Sequence, residues 1–217
     1  MKTKTLVIIA IAFFVAGNLY AQDKKSGTMH HMSMGNAGKH SKAGELRTAM
    51  RKLWEDHITW TRNVICCLVD DLPGKDEALK RLLQNQDDIG NAVKPFYGNE
   101  AGNKLTALLH DHITISADVV LAAKAGNDAK LNDANKRWTA NADEISAFLS
   151  GANPNWPLND MKAMMRDHLK LTTDEAVARI KKDYSADVRA YDKVHDEILQ
   201  MADMLTNGIA MQFPDKF

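Results

Sequence analysis

The chain has 217 residues, with 28 basic and 28 acidic side chains and 45% hydrophobic residues. This length suits one globular domain with a hydrophobic core, and the composition excludes collagen-like and low-complexity chains. The balanced charge provides no positive field for a polyanion, so we expect no nucleic-acid partner. Aromatic residues are only 6% of the chain and methionine is frequent, with 11 copies, within long turn-poor stretches that favour helix.

The N-terminus has the features of a secretory signal peptide. Lys2 and Lys4 precede an apolar run at residues 6–16, and Ala21 supplies the small residue before a cleavage site. The apolar run is shorter than the roughly 20 residues that span a bilayer. We therefore expect an exported protein, periplasmic or extracellular, with no membrane span and with residues 1–21 removed.

Residues 22–44 form a predicted polar tether that is rich in Lys, Ser and Gly and has no apolar periodicity. Within it lies a cluster of thioether and imidazole side chains, namely Met29, His30, His31, Met32 and Met34. These donors suit Cu(I) and related soft ions. The tether is therefore either a soft-metal site or a linker that binds nothing.

From residue 45 onward the sequence predicts an all-α domain. Gly and Pro residues punctuate the helical segments, and no segment has the period-two alternation of a strand. We expect a six-helix bundle with helices at about 45–70, 75–95, 100–125, 128–150, 158–181 and 185–210.

The predicted helices repeat in pairs. The first helix of each pair carries the pattern Asp-His-aliphatic-x-apolar-hydroxyl, which begins at Asp56, Asp111 and Asp167. A polar motif on the second helix begins at Asn85, Asn141 and Val194. We interpret the domain, residues 45–217, as three helical hairpins of about 55 residues at about 45–98, 99–152 and 153–217.

The repeated histidines lie on the apolar faces of their helices. Met50, Leu53 and Trp54, for example, share helical spacing with His57, which indicates that this imidazole points inward. The predicted inward-facing histidines are His57, His112, His168 and His195. Polar residues predicted to orient their rings are Asn85, Asn141, Thr61, Ser116 and Thr172.

The first interpretation of this histidine layer is a transition-metal site. Imidazoles that project from facing helices are a common way for bundles to bind metals. The di-iron motif Glu-x-x-His is absent, and several histidines without abundant carboxylates favour Cu or Zn over Mg, Ca or Mn. The phosphate-binding glycine motifs are also absent, so we expect no nucleotide cofactor.

Two other interpretations remain open. Core histidines that are hydrogen-bonded to a hydroxyl, amide or carboxylate fix helix register, which gives a non-catalytic structural or partner-binding bundle. Alternatively, a buried histidine acts as the general base of an enzyme, in a pocket lined by Trp54, Trp60 and Tyr191. Acyl-transfer and sugar-nucleotide motifs are absent, so the enzyme interpretation ranks third.

Several segments resemble a group of bacterial helical proteins of unestablished function. These segments are residues 53–57, 60–62, 95–98, 141–145, 174–177 and 212–214. The resemblance covers about residues 45–217. Members of the group sometimes carry kinase-like or glycosyltransferase-like labels, for which this chain has no motif, so the resemblance implies no mechanism.

Overall fold

The structure, a computed structural model, describes residues 41–217. The predicted all-α class is confirmed, since every element in this part of the chain is helical: α1 Lys42–Val69, α2 Lys75–Lys124, α3 Asp128–Ala152, α4 Leu158–Ile180, α5 Tyr184–Gln212 and a 3-10 turn at Pro214–Lys216. Outside the described residues lie the predicted signal peptide and the tether donors Met29, His30, His31, Met32 and Met34.

Among residues 41–217 the structure has five helices, because α2 runs through both of the helices that the sequence predicts at about 75–95 and 100–125. Within α2 the residue with non-helical dihedral angles is Gly98, at φ 84° and ψ 169°. A Cβ added to Gly90 would lie 2.7 Å from the carbonyl oxygen of Gly102. In a straight helix twelve residues span about 18 Å. The chain therefore folds back at Gly98, where glycine tolerates the positive φ.

The helices close into a ring around one core. α1 packs against α2 and α5, α3 packs against α2 and α4, and α4 packs against α5. Each helix contributes at least one apolar residue that is no more than 2% exposed, among them Met50, Ile89, Ile145, Met161 and Ile198. Burial of these side chains is the main force that holds the ring together.

Three helices end in turns of the same type. After α1, α2 and α4 the chain has a residue with φ between 55° and 62°, respectively Asp71, Gly126 and Lys182. The following N–H donates to the carbonyl oxygen five positions earlier in each turn, which is the Schellman arrangement. Lys124 contacts Asp71, and Arg179 contacts Asp70, so the three helix ends lie at the same end of the bundle.

Side-chain caps fix where helices begin. Ser41 Oγ accepts a hydrogen bond from the Gly44 N–H at 3.2 Å, so α1 starts at Lys42, a few residues before the predicted position. Asp183 Oδ1 accepts from the Ala186 N–H at 2.9 Å at the start of α5. Short polar residues thus begin α1 and α5, whereas α2 and α4 begin without a side-chain cap.

By length and composition alone, one helix among residues 41–217 meets the criterion for a membrane span. An 18-residue window of α2 reaches a mean hydropathy of 1.2, and 44% of this window is buried inside the bundle. The core helix of a soluble protein meets the same criterion, so the expected absence of a membrane span stays a prediction.

Candidate functional site

Three of the predicted histidines meet in the core. His57 of α1, His112 of α2 and His168 of α4 line one interior cavity of about 30 Å³. The ring centroid of His168 lies 5.8 Å from that of His57 and 6.2 Å from that of His112. Each of these residues is only 3–4% exposed. We call these three residues the histidine cluster.

Apolar side chains surround the histidine cluster. Four methionines line the same cavity, namely Met50, Met164, Met165 and Met201. The ring of Trp54 lies edge-on to His57 at 5.6 Å, and the ring of Trp138 lies 5.4 Å from His112. The imidazoles therefore lie in surroundings that disfavour a charged ring.

An amide from α3 fixes the tautomer of His112. Asn141 Nδ2 donates to the carbonyl oxygen of Leu108 at 3.0 Å, which turns Asn141 Oδ1 toward the imidazole. Oδ1 lies 2.8 Å from His112 Nδ1. Because an amide oxygen only accepts hydrogen bonds, Nδ1 carries the hydrogen and Nε2 carries the lone pair of the neutral ring.

A carboxylate from α5 accepts a hydrogen bond from the ring of His168. Glu197 Oε2 lies 2.9 Å from His168 Nδ1. The carboxylate accepts the hydrogen bond, so Nδ1 of His168 carries a hydrogen and a metal ion would have to bind at Nε2. Imidazoles that bind metals commonly donate their other N–H to such a group.

His57 is less completely paired than the other two rings. Its Nδ1 and the Oε1 of Gln86 are both buried, and within residues 41–217 neither has a hydrogen-bond partner. Gln86 Nε2 donates to Asn85 Oδ1 at 3.1 Å, while Asn85 Nδ2 donates to the Leu53 carbonyl oxygen at 3.0 Å. A hydrogen bond from His57 Nδ1–H to Gln86 Oε1 would satisfy both unpaired atoms.

Burial keeps two rings of the cluster neutral. Desolvation lowers the pKa of His57 well below its ordinary value, and the nearby rings of His168 and His112 lower it further. Desolvation and then His168 lower the pKa of His112 to about 3, although the hydrogen bond with Asn141 acts in the opposite direction. A neutral imidazole keeps the lone pair that a metal ion needs.

His195 lies apart from the cluster. Its Nε2 is 3.0 Å from Glu55 Oε1 of α1, and its side chain is 30% exposed. The ring packs beside Tyr191 instead of lining the cavity. From α5 it is Glu197, two residues further along the helix, that reaches the histidine cluster.

The predicted ring-orienting hydroxyls line a different cavity. Thr61 Oγ1 donates to the His57 carbonyl oxygen at 2.8 Å, and Ser116 Oγ donates to the Ile113 carbonyl oxygen at 2.8 Å. These two hydroxyls therefore bond to their own helices and not to the imidazoles. With Thr172 they line a neighbouring cavity of about 100 Å³, which we call the second cavity.

The aromatic residues of the enzyme interpretation do not share one pocket. Trp54 lines the cavity of the histidine cluster, whereas Trp60 and Tyr191 do not. The Arg81 guanidinium lies 5.5 Å from the Trp60 ring centroid, and that of Arg62 lies 4.7 Å from the Tyr191 ring centroid.

Sequence analysis missed Gln86 and Glu197, the polar neighbours of His57 and His168. Each follows its histidine by 29 residues, which is also the separation between His112 and Asn141. A search for polar residues at a constant separation from the histidines would have found both. The predicted alignment of the second helices started from Asn85 and is therefore shifted by one residue, because the residue equivalent to Asn141 in the first hairpin is Gln86.

Among residues 41–217, no group of three or more His, Cys, Asp or Glu side chains is arranged to hold a metal ion. Three imidazoles bound at about 2.0–2.1 Å to a tetrahedral ion would have ring centroids roughly 5 Å apart. The histidine cluster is somewhat wider than this. No protein-family model, curated protein or solved structure matches the chain. The functional argument therefore rests on the site itself.

Proposed function

We propose that this protein binds a transition-metal ion of the Cu or Zn type through His57, His112 and His168. The observation that carries the proposal is the meeting of three buried imidazoles around one cavity. Asn141 and Glu197 engage Nδ1 of two of the rings, which leaves Nε2 as the available donor. This outer hydrogen bond is a regular feature of metal-binding histidines.

Metal binding requires the rings to approach one another. For the two pairs that include His168, contraction from centroid separations of 5.8 and 6.2 Å to roughly 5 Å is a movement of about 1 Å. The side chain of His57 has an unpaired Nδ1 and can rotate without breaking a hydrogen bond at that atom. Methionine side chains around the rings are flexible enough to follow such a movement.

The donor set favours Cu or Zn. Neutral imidazoles suit both ions, and the thioethers of the surrounding methionines are donors that Cu(I) accepts. A second soft-metal site is proposed in the tether at Met29, His30, His31, Met32 and Met34. Together the two sites would make an exported metal-binding protein.

We also infer that the domain consists of three copies of one helical hairpin. Offsets of 55 and 56 residues relate the three histidines of the cluster, and the same offsets relate the turn residues Asp71, Gly126 and Lys182. They also relate a buried apolar trio, Ile65, Val120 and Ala176. On this interpretation the bend at Gly98 joins the first hairpin to the second, and the two arms of α2 count separately in a six-helix bundle.

The competing function is a structural or partner-binding bundle. It is favoured by the hydrogen bonds from His112 to Asn141 and from His168 to Glu197, which satisfy these nitrogens without an ion. Under this alternative the histidine cluster fixes the register of α1, α2 and α4, and added metal has no effect on stability.

Thermal unfolding with and without added metal separates the two functions. At a Zn(II) or Cu(I) concentration one hundred times the dissociation constant, a folded-state site contributes about 2.7 kcal/mol, or roughly 5–10 °C in Tm. We expect this rise in the wild type and its loss in His168→Ala. His195→Ala is the matched control, because His195 is a histidine outside the cluster, and it should keep the rise.

Equal shifts in the wild type and in His168→Ala would place the bound metal elsewhere. If added metal does not raise the Tm of the wild type, the metal-binding proposal is wrong and the structural or partner-binding function remains. Unfolding is the useful measurement, because binding by an unstructured segment would not raise Tm.

Export is proposed on the basis of the N-terminal segment. The mature protein should begin near Gln22, close to the small residue Ala21. N-terminal sequencing of protein from the periplasm or medium tests this, and recovery of a chain that starts at Met1 would contradict it.

A further inference from the structure

The second cavity is larger than the cavity of the histidine cluster. It encloses about 100 Å³ between α1, α2, α3 and α4. Most of its wall is aliphatic and includes the buried trio Ile65, Val120 and Ala176. Protein interiors contain few voids larger than a water molecule, so a space of this size in a helical core is unusual and can hold a small ligand.

The wall of the second cavity has five polar residues, Thr61, Ser116, Asn135, Thr172 and Thr173, against twelve aliphatic ones. Thr61, Ser116 and Thr173 each donate their hydroxyl hydrogen to a carbonyl oxygen of their own helix. A buried water needs two to four polar partners, and apolar cavities that lack them stay dry. The cavity therefore suits an apolar molecule better than solvent.

Trp138 separates the second cavity from the histidine cluster. It is 4% exposed, lines the second cavity, and its ring lies against His112. Its indole Nε1 has almost no accessible surface, so a molecule in the cavity would contact the ring and not this N–H.

The second cavity has a route toward solvent. Leu68, Ala123, Val177 and Ile180 line it and are partly exposed. They belong to the last turns of α1, α2 and α4, where the three Schellman turns lie. Helix ends open more readily than helix centres, so movement at this end can admit a ligand.

We propose that the second cavity binds a small neutral apolar molecule about the size of one aromatic ring. An apolar cavity of roughly 150 Å³ binds benzene. A space of about 100 Å³ accepts a ring of that size with a small adjustment of its aliphatic wall. The site is independent of the histidine cluster, because none of the three imidazoles lines it.

The test uses benzene as the probe, the full mature chain, and a chelator to remove metal. At ten times the dissociation constant, benzene should raise the Tm of the wild type by roughly 3–5 °C. Ala176→Leu fills the cavity and should abolish the rise. Ala140→Leu introduces the same side chain at an exposed position of α3 and should keep it.

A second variant works in the opposite direction. Val120→Ala enlarges the second cavity, so toluene should raise the Tm of this variant by more than it raises that of the wild type. This comparison remains decisive if Ala176→Leu fails to fold. Equal benzene shifts in the wild type and Ala176→Leu, or no shift in both the wild type and Val120→Ala, would overturn the proposal.

Discussion

Asn141 makes two hydrogen bonds in the core, one to the Leu108 carbonyl oxygen and one to His112 Nδ1. Asn141→Leu would leave the Nδ1–H of His112 buried and unpaired, whereas the Leu108 carbonyl oxygen would keep its hydrogen bond within α2. An unsatisfied buried donor costs about 1–3 kcal/mol, so this substitution should lower the free energy of unfolding by roughly that amount. Urea unfolding measures the loss. Asn132→Leu, at an exposed position of the same helix, should change it by no more than about 0.5 kcal/mol.

A double-mutant cycle shows how much of the loss belongs to the His112 pair. When both partners become apolar, no unsatisfied donor remains at Nδ1. The variant with both His112→Leu and Asn141→Leu should therefore be destabilised by less than the sum of the single variants. Simple additivity would show that the two side chains are not coupled.

Gly208 of α5 has no room for a side chain. A Cβ at this position would lie 2.0 Å from Nε1 of Trp156, a core residue that is 2% exposed. Gly208→Ala should therefore lower the free energy of unfolding by about 1–3 kcal/mol, as overpacking does. Gly151→Ala is the matched control in α3, since no atom lies within 4 Å of its added Cβ. The control should stabilise the helix by roughly 0.5–1 kcal/mol, and equal effects in both variants would contradict the packing argument.

Among the elements, α2 depends most on one backbone conformation. Gly98 at φ 84° and ψ 169° lies in a region that only glycine adopts readily, whereas Gly126 at φ 62° ends the same helix in a left-handed turn. Nothing lies within 4 Å of an added Cβ at either position. Gly98→Ala should cost about 1–3 kcal/mol through backbone strain alone.

Asparagine distinguishes the two glycines of α2. It tolerates the left-handed region, so Gly126→Asn should cost less than Gly98→Asn in urea unfolding. Equal costs at the two positions would show that the bend at Gly98 relaxes when the residue changes.

Helix boundaries were largely predictable because a glycine, a polar cap and a proline mark the starts of α2, α3 and α4, at Gly74, Asn127 and Pro157. The predicted starts at residues 75, 128 and 158 coincide with the first residues of α2, α3 and α4. The break near Pro95 was predicted as a loop, but helical geometry continues on both sides and the reversal is confined to Gly98. A single positive-φ residue leaves too short a signal in the sequence to show whether a loop or a bend will form.

At the scale of the whole molecule, helical periodicity predicts that three imidazoles lie on apolar helix faces, and the fold brings these three rings to one cavity. The same periodicity places His195 on such a face as well, yet that ring pairs with Glu55 near the surface. Periodicity gives the face of a helix but not the neighbour opposite a given residue. The second cavity could not be predicted from the sequence either, because its volume depends on side chains from four helices.

Acid should weaken the fold through the buried histidines. Burial lowers the folded-state pKa of His112 to about 3, while an unfolded histidine titrates near 6.5. The unfolded chain therefore binds the proton first as pH falls through about 6.5. Between pH 8 and pH 5 this linkage removes about 2 kcal/mol of stability for His112.

Glu175 changes the stability of the fold with pH in the opposite direction. It is 1% exposed and lies 2.6 Å from Arg62, which also contacts Asp187 at 2.8 Å. Burial raises the pKa of Glu175 to about 7, against the attraction of Arg62. The folded state binds this proton first, so the contribution of Glu175 is present at low pH and is lost as pH rises through about 7. Between pH 8 and pH 5 it adds about 2 kcal/mol.

Two substitutions should therefore change the pH profile of metal-free protein with opposite signs. His112→Gln removes the histidine linkage, so the variant should lose about 2 kcal/mol less than the wild type when the pH falls from 8 to 5. Glu175→Gln removes the opposing linkage, so that variant should lose about 2 kcal/mol more. Urea unfolding at the two pH values measures both differences, and the comparison is unaffected by any constant destabilisation that each substitution causes. No change in one variant would show that its group titrates in the folded state as it does in the unfolded chain, and changes of the same sign would show that one of the two pKa shifts has the opposite direction.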